Sequence, residues 1–185
     1  MDIPDEYRRH ARVFSEKESH RFPPVRSWDH AIHFKPGSPD SLNCKIYPTT
    51  PAEKTALREW IDDMEKKKYI EKAKPDQAYF VSPFFFLEKK DGKRRPVQDY
   101  RGTNKLTIRD HYPIPLIPPT IAAVKNASIF TKFNVRQGYN NIRIREEDKH
   151  KAAFKTEFGV YVPNVMFFGL TNSPATFQRM MDTIF

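Results

Sequence analysis

Cysteine occurs once in the chain, at Cys44. An internal disulfide framework is thereby excluded, and so is a thiolate-rich zinc site. Glycine is scarce as well, with 6 residues against 16 prolines, which suggests a chain stiffened by turns and extended segments. No apolar run approaches the ~18 residues of a membrane span. The opening Met1-Asp2-Ile3-Pro4-Asp5-Glu6 lacks a basic region followed by an apolar one. A secretory leader is therefore not expected, and the chain reads as intracellular, cytoplasmic or nuclear, with no membrane partner. Of the six histidines only His30 and His33 stand close together, and no second ligand pair accompanies them. No internal repeat is visible.

What the sequence does hold is aromatic side chains and positive charge. Fifteen Phe and eight Tyr can supply a core for one domain, or one and a fragment, in 185 residues. The formal net charge is +9. Such an excess favours a polyanion such as nucleic acid, and it equally describes a basic solvated face.

Residues 1–44 are polar, Pro-rich and poorly periodic, an extended arm ordered by packing against the rest of the chain. The first clear helix opens at Thr50. Thr50 is a good cap, Pro51 suits the first helical position, and Glu53 completes a capping box. Leu57, Trp60, Ile61 and Met64 then fall at helical spacing, and Lys66-Lys67-Lys68 suits the negative end of the helix dipole. A hairpin comes next. Ser82–Leu87 is an apolar strand, Asp91-Gly92 a turn dipeptide, and Arg95–Arg101 the returning strand, with Pro96 marking it as an edge. A short helix is expected over Pro118–Lys125. Ile129–Val135 reads as a buried strand, and Ala152–Lys155 and Val160–Val162 as two short strands joined near Phe158-Gly159. The last helix opens with Ser173 as cap and Pro174 as first residue. Its apolar face is Phe177, Met180, Met181 and Ile184, and its abrupt stop suggests truncation.

Four blocks, in order, carry a resemblance. They are Ser82–Phe86 with Lys89-Lys90-Asp91-Gly92-Lys93; Arg95–Arg101 with Asn104; Phe130–Val135 with Gly138–Ile142; and Phe167–Gln178. Together they resemble the fingers and first palm segments of gypsy-type LTR-retrotransposon reverse transcriptases. The resemblance implies an α+β right-hand polymerase fold, with fingers over 45–125, a truncated palm over 126–185 and the thumb absent. It implies an RNA-directed DNA polymerase acting on an RNA or DNA template-primer and deoxynucleotides, and a remainder of a Pol polyprotein as partner.

That chemistry needs Mg2+ or Mn2+, because two divalent cations activate the primer hydroxyl and stabilise the leaving pyrophosphate. Hard cations take carboxylate oxygens. The family supplies one Asp at the end of the first palm strand and two in a later Tyr-x-Asp-Asp turn. Here the first position is Asn134, and the later turn is absent from the 185 residues. No complete metal site is therefore expected, and the chain alone is expected to be inactive. The alternatives are a non-catalytic nucleic-acid-binding remnant and an unselected fragment. The phosphate-binding side is better kept. The resemblance places Lys89 and Arg95 over the incoming triphosphate, on a hairpin where residues 89–105 hold seven Lys/Arg against two Asp. It places Tyr139 beneath the sugar, Phe168 in the nucleotide pocket, and Gly169 where backbone approaches the substrate. Gln137 stands where relatives often carry Trp.

Overall fold

The computed structural model describes residues 4–74, 79–88, 92 and 94–185. The Asp91 half of the expected turn dipeptide lies outside them. Gly92 is described, at φ +74°.

Among the described residues, five α-helices and five strands organise the chain: α1 (Glu16–Ser19), α2 (Pro51–Lys66), β1 (Ile70–Lys72), β2 (Val81–Glu88), β3 (Arg94–Gln98), α3 (Arg101–Leu106), α4 (Ile117–Ala123), β4 (Ala153–Thr156), β5 (Gly159–Pro163) and α5 (Ser173–Ile184). The strands form one mixed sheet in the order β1-β5-β4-β2-β3. β2 and β4 run parallel, and every other pairing is antiparallel.

α2 begins as its sequence dictates. The Thr50 hydroxyl accepts the Glu53 N–H while the Glu53 carboxylate accepts the Thr50 N–H at 2.8 Å. Leu57, Ile61 and Met64 are buried, each burial worth roughly 1.5–3 kcal/mol. Trp60 is half-buried on the same side and packs its ring 5.1 Å from Phe84 and 6.1 Å from Phe167. At the other end the Lys68 N–H bonds the Glu65 carbonyl and the Tyr69 N–H bonds the Met64 carbonyl, both at 2.9 Å. This two-bond closure puts Lys68 in the left-handed region at φ +61°, where glycine is the usual occupant.

β3 is an edge strand, and Pro96, which has no N–H to donate, sits in it opposite Phe86. It is shorter than expected. The Asp99 carboxylate accepts the Arg101 N–H at 3.2 Å and grips the Arg101 guanidinium at 2.8 and 2.6 Å, so the chain turns into α3 instead of extending to residue 101. That guanidinium holds the Asp99 carboxyl below the usual carboxylate range.

The expected strand over Ile129–Val135 does not form. The segment is irregular, and Ile129, Phe130 and Phe133 are 86%, 69% and 73% exposed. An apolar run becomes a strand only when a neighbour completes its hydrogen-bond ladder. Among the described residues none pairs with this one.

The chain before α2 packs closely on the elements after it. Ile32 is fully buried, and residues 30, 34 and 42 bridge to Ile144, Thr107 and Phe80. Asp148, 2% exposed, accepts the Ile32 N–H at 2.9 Å and the Lys151 ammonium at 2.5 Å. His30 is 1% exposed, and its Nδ1 lies 2.8 Å from the Thr176 hydroxyl on α5. α5 itself starts one residue differently from expectation. Asn172 is the capping position, and Ser173 and Pro174 are already helical. Asn172 has other work: its side chain accepts the Asp110 N–H at 3.0 Å and donates to the Ile108 carbonyl at 2.8 Å. Of the expected apolar face, Met180 is buried, Phe177 and Met181 are half-buried, and Ile184 is exposed.

Candidate functional site

Three of the residues singled out from sequence meet in space. Arg95 projects from the exposed edge strand β3 and sets its guanidinium carbon 4.8 Å from the centre of the Phe168 ring. The Phe168 ring lies 4.5 Å from the Tyr139 ring, and Tyr139 meets Phe177 edge-on at 5.5 Å. Each aromatic contact is worth about 0.5–1.5 kcal/mol beyond burial, and an exposed cation over a ring about 0.5–1 kcal/mol. Phe168 is nevertheless 58% exposed. A large apolar ring open to solvent beside an exposed arginine is a surface that can receive a planar, anionic ligand. Burial raises the Tyr139 pKa, so its hydroxyl is a neutral donor and acceptor at neutral pH.

The backbone beneath the rings is fixed from several directions. Gly169 adopts φ +104°, and a Cβ there would stand 3.3 Å from the Gln98 carbonyl oxygen and 3.4 Å from the Tyr100 ring. A side chain at 169 would press on β3 and strain the backbone, and glycine avoids both. Asn104, on α3, clamps the same loop. Its Nδ2 donates to the Gly169 carbonyl at 2.7 Å, and its Oδ1 accepts the Thr171 N–H at 2.8 Å. The turn that carries Tyr139 is held likewise. Gln137 enters it at φ +49°, Asn140 donates to the Met166 carbonyl at 3.1 Å, and a Cβ on Gly138 would press 3.0 Å from the Phe177 ring.

Sequence reasoning passed over these supporting residues. Asn104 stood in one of the resembling blocks without a role, and Gly138 and Asn140 counted only towards the resemblance. Their partners are 65, 39 and 26 positions away, so no local spacing announces them.

Two other singled-out residues remain. Lys89 lies outside the described residues. Asn134 stands exposed on irregular chain between α4 and the Tyr139 turn, and among the described residues its side chain makes no hydrogen bond to Arg95, Tyr139 or Phe168. Nor does any group of three His, Cys, Asp or Glu side chains converge among the described residues. Asn134 offers one neutral amide oxygen, a donor set that does not fit two hard divalent cations. His30 Nδ1 lies against the Thr176 hydroxyl, and His33 is exposed.

Comparison with known proteins bears on the same segments. The profile of a family described as reverse transcriptase (RNA-dependent DNA polymerase) matches residues 87–185. The chain is also similar to the Transposon Tf2-3, Tf2-4 and Tf2-7 polyproteins of Schizosaccharomyces pombe (strain 972 / ATCC 24843). It is 31% identical to each over 184 residues, which is 99% of this chain and 14% of each relative. It thus spans a small part of the curated relatives that it matches. No described helix is long and apolar enough to cross a membrane.

Proposed function

Because this chain belongs to the reverse transcriptase family, we propose that it is the deoxynucleotide- and template-handling front of a gypsy-type retrotransposon polymerase. In this reading residues 45–125 act as fingers, 126–185 as the start of a palm, and 1–44 as an arm packed on both. Lys89 and Arg95 receive the triphosphate, Tyr139 lies under the sugar, and Phe168 and Gly169 line the pocket. The contact of Arg95 and Tyr139 with the same Phe168 ring carries the proposal. Residues 95, 139 and 168 come from separate segments, and they converge where a nucleotide would need a charge, a ring and close backbone together.

Members of the family use divalent metal ions. With Asn134 at the first metal position and a donor set that does not fit two cations, no catalytic step can be assigned to the 185 residues alone. Their function is binding. Template-primer is held by charge, without sequence preference. The test is fluorescence anisotropy of a labelled RNA–DNA template-primer across a salt series. Affinity is expected to fall with salt by about 0.7–0.9 logarithmic units per phosphate contact per decade. Charge reversal at Lys89 and Arg95 is expected to flatten that slope. Affinity that ignores salt would refute the reading.

A further inference from the structure

A second basic recess lies away from the Arg95–Phe168 contact, where the end of α2 and β1 meet the 143–149 segment. It encloses about 440 Å³, within the usual range for small ligands. Four cationic residues line it: Lys68, Lys72, Arg143 and Lys149. Three local features there need an explanation that packing does not provide.

The first is Lys68. It occupies the left-handed position that closes α2, at φ +61°, which a side chain disfavours and glycine adopts freely. A charged residue thus stands where the backbone favours glycine, and it lines the recess. The second is Asn164, 7% exposed and lining the same recess. Its Nδ2 donates to the Lys68 carbonyl at 3.1 Å, while its Oδ1 has no hydrogen-bond partner among the described residues. Buried acceptors are nearly always paired. The third is Lys149, also only 7% exposed, whose ammonium reaches the largely exposed Glu146. Among the described residues Lys68 and Lys72 pair with no carboxylate, and Arg143 lies 3.9 Å from Glu146 and over the Phe22 ring at 5.1 Å.

We propose that this recess is a nucleotide-phosphate subsite, taking one phosphate with its attached nucleoside. Lys68, Lys72 and Arg143 supply the cations for the phosphate. Phe22 offers the one aromatic face among the lining residues. The carboxylates of Glu65 and Glu71, which also line the recess, would repel a bare anion. They accept hydrogen bonds from sugar hydroxyls or base N–H groups. A lining of both signs therefore selects a phosphate that carries donors beside it, and inorganic phosphate is a poor substitute. The phosphate belongs either to a free nucleotide or to one residue of a strand.

The deciding variant is Lys68→Gly, because it removes the ammonium and relieves the backbone at once. Calorimetry on the full chain with adenosine 5′-monophosphate, inorganic phosphate and a short single-stranded oligonucleotide separates the sources. Adenosine 5′-monophosphate or the oligonucleotide is expected to bind more tightly than inorganic phosphate. Lys68→Gly is expected to weaken that binding roughly tenfold while raising the melting temperature by about 2–4 °C. Lys72→Ala is expected to weaken it in the same sense. Preference for the mononucleotide assigns a free ligand, and preference for the oligonucleotide assigns a strand. Absence of binding to both, inorganic phosphate binding as tightly as the nucleotide, or affinity unchanged in both variants would overturn the proposal.

Discussion

The Arg95 guanidinium, on the edge strand β3, rests 4.8 Å from the Phe168 ring, 73 positions further along the chain. A glycine stands beside this contact. Gly169 comes directly after Phe168 at φ +104°, with the Gln98 carbonyl oxygen 3.3 Å from the point its Cβ would occupy.

Gly169→Ala is therefore expected to destabilise the fold by about 1–2 kcal/mol, from left-handed strain and the close approach to β3. Urea unfolding checks it, through a lower midpoint at unchanged slope. Gly37, also at positive φ but with open space around its Cβ position, provides the comparison. Gly37→Ala shares the strain and lacks the steric contact, so its loss should be the smaller of the two.

His30 makes stability depend on pH. Burial holds its pKa down to about 4 from an ordinary 6.5, with Arg145 and Arg179 acting in the same direction and Asp148 and Asp110 opposing. Between those values the unfolded chain binds a proton that the folded chain refuses. This contribution is complete above pH 6.5 and is lost as pH falls towards 4, by roughly 3 kcal/mol at most. The expected outcome is a midpoint that drops through that window. In His30→Asn, whose side-chain amide can still reach Thr176, the drop should be shallower. An equal drop in both proteins would assign the acid sensitivity elsewhere.

Asn134→Asp is expected not to confer DNA synthesis on the 185-residue chain, because one carboxylate cannot hold two cations. Primer extension on an RNA template with Mg2+ and with Mn2+ checks both proteins. Product above a no-protein control, from either, would contradict the binding-only reading.

The elements legible in the sequence are those whose cause is local. The Thr50–Glu53 capping box, the i, i+3, i+4, i+7 face of Leu57, Trp60, Ile61 and Met64, and the Pro96 edge all depend on near neighbours, and all appear as expected. The Ile129–Val135 strand failed because a strand is a relationship between two segments, and apolar character specifies only one of them. The one-residue shift at the start of α5 has the same origin. Asn172 ends the loop by bonding residues 108 and 110, a partner invisible from the Ser173-Pro174 pattern. Of the candidate site, Arg95, Tyr139, Phe168 and Gly169 were legible through resemblance. Asn104, Gly138 and Asn140, which fix the Gly169 loop and the Tyr139 turn, were not, because their roles exist only once the chain has folded.

The central claim is that Arg95, Tyr139 and Phe168 form one deoxynucleotide-binding surface. Titrating deoxythymidine triphosphate into isotope-labelled protein, followed by NMR, tests it most directly. Resonances of Arg95, Tyr139 and Phe168 are expected to move together along one saturating curve. Arg95→Ala should weaken that curve by roughly tenfold, the loss expected for a charge-assisted contact. Shifts confined to other residues, or none at these three, would contradict the claim.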